Sequence, residues 1–141
     1  MNVAMSVAAL SVLSLLIGFV IHSWLLGPEY AQLASLFRPP QEAENYLGFM
    51  LLAHVFIGAG ITWVYRQGRD TKPFLAQGLR FGVALVVLIT IPMYLIYYAV
   101  QPMPGMLVAK QIVFDAIGML LLGIVAAWIN QRDTAQGITP A

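Results

Sequence analysis

The stretch RFGVALVVLITIPMYLIYYAVQPMPG, from Arg80 to Gly105, decides the fold class. It contains no charged residue after Arg80, and an apolar run of about twenty residues is long enough to cross a bilayer as one helix. Its last five residues, Gln101 to Gly105, include two prolines and a glycine, which are typical of a turn. The stretch therefore predicts most of a transmembrane helix that spans about residues 74–100.

The composition of the whole chain predicts that the bilayer is its solvent. The 141 residues are 60% hydrophobic and 9% charged, whereas a soluble domain carries about a quarter charged residues. The formal net charge of +1 is too small for the many phosphate contacts that nucleic-acid binding requires, which argues against nucleic acid as a partner. The chain has no cysteine, which excludes disulfides and thiolate metal sites.

The predicted fold is all-α, an antiparallel bundle of four transmembrane helices in a single integral membrane domain, residues 1–141. We call the helices the first to fourth segments. They are predicted at about residues 3–26, 46–65, 74–100 and 106–130. Because the second and third connectors are short, the second, third and fourth segments are expected to pack as sequential antiparallel neighbours.

The first connector predicts a short helix that lies in the membrane interface, at about residues 28–38. Pro28 suits the first turn of a helix. Tyr30, Leu33 and Leu36 then fall on one helical face, as in amphipathic helices that lie along a membrane surface.

The distribution of Lys and Arg predicts the orientation. Arg38 and Lys110 lie on one side of the predicted bundle, and the other five basic residues lie on the opposite side. Those five are Arg66, Arg69, Lys72, Arg80 and Arg132. The positive-inside rule then places the N and C termini in the cytoplasm, and the interfacial helix on the outer side.

Polar residues within the segments cluster in the outer half of the predicted bundle. At 1.5 Å per helical residue, His22 lies about 6 Å below the outer boundary and His54 about 12 Å below it. An ionisable residue at such depth is costly unless it is paired, and it marks a candidate functional site. The candidate ligand-binding residues are His22, His54, Tyr94, Tyr98, Gln111 and Asp115.

Three interpretations of this cluster stay open. In a structural one, His54 hydrogen-bonds Asp115 or a tyrosine and fixes the register of the helices. In a second, His22 and His54 are candidate ligands of a metal, or axial ligands of a b-type haem, although their unequal depths are unfavourable for haem. In a third, His54 and Asp115 are the exchangeable protonated groups of a quinone, lipid or proton site.

Small residues at helical spacing predict close packing between the segments, because they let membrane helices approach one another. Gly78 and Gly82 form a GxxxG pair near the start of the third segment. The predicted packing glycines are Gly18, Gly58, Gly78, Gly82 and Gly118. Four helices of this size cover little of each other, so a homo-oligomer or other membrane subunits are expected as partners, together with the lipid bilayer.

The motifs GLRFG (residues 78–82), Pro92, Tyr98 and QPMPG (residues 101–105) resemble those of a group of small four-helix bacterial inner-membrane proteins. The resemblance covers about residues 46–130 and implies a multi-pass protein of the bacterial inner membrane, with no known activity to carry over. The chain lacks the cysteines of the disulfide-generating quinone reductases. It also lacks the Arg/Glu-rich second helix of the eicosanoid and glutathione enzymes.

No motif of an enzyme active site is present, which favours a protein without catalysis of its own and leaves lipid-linked chemistry open. We predict an accessory or scaffold subunit of a larger membrane complex, or a homo-oligomer. The alternative is a bundle that binds a quinone, lipid, haem or metal in an outward-opening pocket around His54 and Asp115.

Overall fold

The computed structural model of the protein describes residues 1–131. Every element of regular structure in this range is helical, and four helices are long and apolar enough to cross a membrane. The prediction of an all-α chain with four such helices is confirmed. The candidate membrane spans are Val3–Leu25, Ala34–Gly68, Phe74–Val100 and Gly105–Ile129, and the second of them includes part of the first connector. The tail that begins at Arg132 lies outside the described residues.

The first segment is an α-helix over Val3–Gly18 that continues as a π-helix over Phe19–Leu25. The side chain of Asn2 caps its start by accepting a 2.8 Å hydrogen bond from the backbone N–H of Met5. A π-helical turn accommodates one more residue than an α-helical turn. It therefore changes the direction in which the side chain of His22 projects from the helix.

The first connector consists of several short helical turns rather than one helix over residues 28–38. Pro39 and Pro40, which follow residues 28–38 in the connector, favour such interruptions. The elements are an α-helix Gly27–Ala31, a 3₁₀-helix Ala34–Leu36, an α-helix Pro40–Ala43 and a 3₁₀-helix Glu44–Tyr46. The regular α-helix of the second segment follows at Leu47–Gly68.

The third segment contains an irregularity just before its proline. Pro92 has no backbone N–H, so the carbonyl of Leu88 loses its α-helical partner. The helix Phe74–Leu85 passes through a π-helical turn over Val86–Thr90 and resumes as an α-helix over Ile91–Val100. The distortion expected at Pro92 therefore takes the form of a π turn.

The fourth segment is a single α-helix, Gly105–Ile129, which begins directly after Pro104. It packs antiparallel against the third segment through glycines. A β-carbon at Gly78 would lie 2.6 Å from the Cα of Ile124, and a β-carbon at Gly123 would lie 2.5 Å from the carbonyl oxygen of Gly78. Only glycine allows the two backbones to approach so closely.

The first and second segments form a second antiparallel pair. A β-carbon at Gly58 would lie 2.7 Å from the backbone nitrogen of Ser11 and from the carbonyl oxygen of Val7. The two pairs meet where the first segment contacts the fourth. At this contact, a β-carbon at Gly118 would approach the side chain of Ile17 to 2.8 Å.

The second segment packs along the first segment and not along the third, which differs from the expected sequential arrangement. Within residues 1–131, the second and third segments meet near the ends joined by their connector, where the rings of Tyr65 and Phe81 are 5.4 Å apart. The glycine face of the third segment is already occupied by the fourth. The small-residue face around Gly58 is occupied by the first segment, so neither face is left for a contact between the second and third segments.

Asn130 connects three segments at the end of the bundle that also contains Met1, which we call the Asn130 end. Its side chain is buried, and its Oδ1 accepts hydrogen bonds from Ser6 Oγ at 3.0 Å and from Arg66 Nη1 at 3.1 Å. Its backbone carbonyl accepts a further bond, of 3.2 Å, from Arg69 Nη1. The sequence predicts Asn130 only as the last residue of the fourth segment.

We expect Asn130→Ala to lower the free energy of unfolding by about 2 kcal/mol, because Ser6 and Arg66 lose their shared buried acceptor. The matched control is Gln131→Ala, which removes a neighbouring exposed side chain that bonds the carbonyl of Trp128. Unfolding in mixed detergent micelles, followed by tryptophan fluorescence, measures both variants. An equal loss in the two variants would contradict a connecting role for Asn130.

Candidate functional site

Five polar side chains form a network at the opposite end of the bundle, which we call the His22 end. Three hydrogen bonds and one longer contact, between His22 and Asp115, join them. His22 comes from the first segment, Tyr30 from the short helix that follows it, and Tyr94 from the third segment. Gln111 and Asp115 come from the fourth segment. The network therefore joins three of the four segments and the first connector.

Tyr30 connects Gln111 to His22. Gln111 Nε2 donates a 3.0 Å hydrogen bond to the Tyr30 hydroxyl, and that hydroxyl lies 2.9 Å from His22 Nδ1. The rings of His22 and Tyr30 are stacked, with centroids 6.1 Å apart. Since the hydroxyl already accepts from Gln111, its own hydrogen is available to His22 Nδ1, which puts the proton of a neutral His22 on Nε2.

Asp115 lies between His22 and Tyr94. The Tyr94 hydroxyl donates a hydrogen bond to Oδ2 of Asp115, and His22 Nε2 lies 3.4 Å from Oδ1. The distance between His22 and Asp115 is longer than an ordinary hydrogen bond, so these two side chains are in contact without a well-formed bond. The side chain of His22 is 38% exposed and that of Asp115 is 17% exposed. The pair is therefore partly open to whatever surrounds the bundle.

Helical geometry places these residues together. Gln111 and Asp115 are four residues apart on one helix and share a face. The π-helical turn over Phe19–Leu25 positions His22, and the chain then reverses at Gly27 so that Tyr30 returns to the His22 ring.

A salt bridge lies beside the network in the first connector. Lys110 Nζ is 2.6 Å from Glu29 Oε1, and this hydrogen bond holds the pKa of Glu29 below its usual value.

Burial raises the pKa of Tyr30. The hydrogen bond from Gln111 lowers this pKa, and the carboxylates of Asp115 and Glu29 raise it further. Tyr30 is therefore a neutral hydrogen-bond donor at physiological pH.

Two of the predicted site residues, His54 and Tyr98, lie apart from the network. His54 Nδ1 is 2.9 Å from Ser14 Oγ, in the contact between the first and second segments, and its ring faces Gly18. In the structural interpretation His54 is expected to bond Asp115 or a tyrosine. Within residues 1–131 it bonds neither, and His22 is the histidine that faces Asp115. Tyr98 is half exposed, and its hydroxyl approaches Gly105.

The network includes one residue that the sequence did not predict as part of a site. Tyr30 follows the pattern of an interfacial helix face, and that pattern gives no sign that its hydroxyl bonds His22. The only local sign of this hydrogen bond is that Tyr30 follows His22 by eight residues, across the Gly27-Pro28 turn. Gln111, Asp115, Tyr94 and His22, all predicted as candidates, do come together.

An apolar groove of about 350 Å³ lies on another side of the same helices, and no residue of the network lines it. It lies between the first and fourth segments, where Ile21, Leu25, Phe114 and Gly118 are among its lining residues. Ile21 and Phe114 are the chain neighbours of His22 and Asp115. Within residues 1–131, no three His, Asp or Glu side chains are grouped as a metal site would require.

Comparison with known proteins gives no match to a family model, to a curated protein or to a solved structure.

Proposed function

We propose that the protein is a multi-pass protein of the bacterial inner membrane, without catalysis of its own, that acts as an accessory or scaffold subunit of a larger assembly or as a homo-oligomer. The observation that supports this most is the internal pairing of its intramembrane polar groups. His22, Tyr30, Tyr94, Gln111 and Asp115 bond one another, and His54 bonds a serine of the neighbouring helix.

This pairing determines what the bundle presents to its surroundings. Polar groups are costly in hydrocarbon unless they are satisfied. Both histidines, Tyr94 and Asp115 have partners in the same chain, whereas within residues 1–131 four buried side-chain oxygens have none, those of Ser11, Thr62, Thr90 and Gln111. The outward surface is accordingly apolar, with Phe19, Phe49, Phe56 and Leu88 among its most exposed side chains. Such a surface suits lipid and partner helices alike, and helices associate in membranes by packing rather than by hydrophobic burial.

The charge distribution supports an orientation with both termini in the cytoplasm. Arg66, Arg69, Lys72 and Arg80 all belong to the Asn130 end, and Arg66 Nη1 lies 3.5 Å from the carbonyl oxygen of Met1. At the His22 end, the first connector contains Glu29, Glu42 and Glu44. The positive-inside rule favours the basic end in the cytoplasm.

Native mass spectrometry tests the assembly role. We expect the protein, extracted in mild detergent from its own membrane at its endogenous level, to carry further protein subunits or a fixed number of its own copies. Asp115→Asn should lower the assembled fraction without removing a bound small molecule. Ser23→Ala, an exposed neighbour of His22, serves as the control. A monomer with one stoichiometric small molecule would contradict the assembly role.

A second candidate function, binding of a quinone or lipid, is favoured by the apolar groove between the first and fourth segments. A long apolar chain fits the groove by its lining of aliphatic side chains and Phe114, and the partly exposed His22 is the next residue along the chain from Ile21 in that lining. Haem or metal fits less well, because Tyr30 and Asp115 already face the two ring nitrogens of His22 and Ser14 bonds Nδ1 of His54. The same mass spectrum decides between the candidates, since a retained quinone or lipid mass on every copy would favour the groove.

A further inference from the structure

A polar cavity of about 360 Å³ lies at the Asn130 end, between the second and third segments. These segments meet at the cavity through the rings of Tyr65 and Phe81. Away from it, each segment packs against a different partner. Val64, which also lines the cavity, is 48% exposed. The cavity therefore borders an exposed apolar helix surface.

Gln77 holds the loop that forms one side of this cavity. Its Nε2 donates to the backbone carbonyls of Asp70 at 2.8 Å and Lys72 at 2.5 Å, and its Oε1 accepts from the backbone N–H of Asp70 at 2.9 Å. The Tyr65 hydroxyl adds a longer bond of 3.4 Å to the same oxygen. Because one side chain fixes the loop at several points, the cavity is preorganised for a ligand.

The charges that line the cavity leave an excess of one cation. Lys72 Nζ lies 3.2 Å from Asp70 Oδ2. The backbone N–H of Thr71, and then Lys72, hold the pKa of Asp70 below its usual value, so this carboxylate is ionised at neutral pH. Arg80 also lines the cavity, and no carboxylate within residues 1–131 forms a salt bridge with it.

We propose that this cavity binds the phosphodiester headgroup of an anionic phospholipid, independently of the proposed assembly role. Arg80 and Lys72 supply the charge for the phosphate, and Gln77 keeps the loop in place. Basic pockets between transmembrane helices are suited to anionic lipid headgroups. The apolar sides formed by Val64 and Phe81 suit the start of the acyl chains, which favours a lipid over a soluble phosphate.

The test is the lipid selectivity of the purified full chain. In mild detergent, the protein is titrated with equal amounts of phosphatidylglycerol and phosphatidylethanolamine, and native mass spectrometry counts the bound molecules. Wild type should prefer phosphatidylglycerol. Arg80→Gln and Lys72→Gln should each reduce this preference by about five-fold, the factor for one cation near an anionic lipid. Lys110→Gln removes the same charge at the His22 end and should retain the preference.

Asp70→Asn gives a change in the opposite direction, which a misfolded variant could not produce. It removes the carboxylate from the cavity while its amide oxygen can still accept from the Thr71 N–H, so the preference for phosphatidylglycerol should rise. Equal binding of the two lipids by wild type would overturn the proposal, as would an equal loss in Lys110→Gln. The proposal would also be overturned if glycerol phosphate displaced bound phosphatidylglycerol as strongly as added lipid does. It would be overturned as well if a second copy of the chain, and not lipid, occupied the cavity.

Discussion

Gly123→Val is expected to force the third and fourth segments apart and to lower the free energy of unfolding by about 3 kcal/mol. A β-carbon at this position would lie 2.5 Å from the carbonyl oxygen of Gly78 and 2.8 Å from the backbone nitrogen of Gly82. Both atoms belong to backbone, which cannot move aside as the end of a flexible side chain can. The whole helix must shift, and the contacts along its length are lost together.

The matched control is Gly60→Val, which introduces the same β-branched residue into the second segment. A β-carbon at Gly60 meets nothing within 4 Å, so that side chain projects into open space. Unfolding in mixed micelles should therefore show a small change for Gly60→Val and a large one for Gly123→Val. Comparable losses of unfolding free energy in the two variants would mean that the helix propensity of valine, and not close packing, determines the loss.

The sequence predicts Gly78 and Gly82 as packing residues but does not single out Gly123, the residue opposite them. A GxxxG pair is recognisable within one helix, whereas the partner that fills its groove depends on how two helices are aligned. The same limit explains the second segment. Its short connector to the third predicts neighbours in space, but its small-residue face around Gly58 packs against the first segment instead.

The candidate site shows what depth along a helix can and cannot predict. Counting residues places Tyr94, Gln111 and Asp115 in one half of the bundle, and the structure brings them together. The same count favours His54 over His22 as the partner of Asp115. A π-helical turn and a chain reversal bring His22 and Tyr30 to the network instead, and neither feature is visible in hydrophobic periodicity.

Asp115→Ala is expected to lower the free energy of unfolding by about 2–3 kcal/mol, since it leaves the Tyr94 hydroxyl and His22 without their shared partner. The control is Glu29→Ala, which breaks the more exposed pair with Lys110 and should cost much less, because solvent screens an exposed ion pair. Both variants are measured by unfolding in mixed micelles. Similar losses in the two variants would show that the network contributes little to stability.

A double-mutant cycle between Asp115→Ala and Tyr94→Phe isolates the bond between these two side chains. We expect a coupling energy of about 1–2 kcal/mol, because either change alone already breaks the bond. Polar pairs in membrane proteins average about 0.6 kcal/mol, so a larger coupling would indicate that this bond contributes more than an ordinary hydrogen bond between membrane helices. Asp115→Asn then separates the two candidate functions, since its amide oxygen can still accept from Tyr94. A stable Asp115→Asn protein that loses a bound quinone or lipid would favour the ligand site, whereas a loss of assembly alone would favour the accessory subunit.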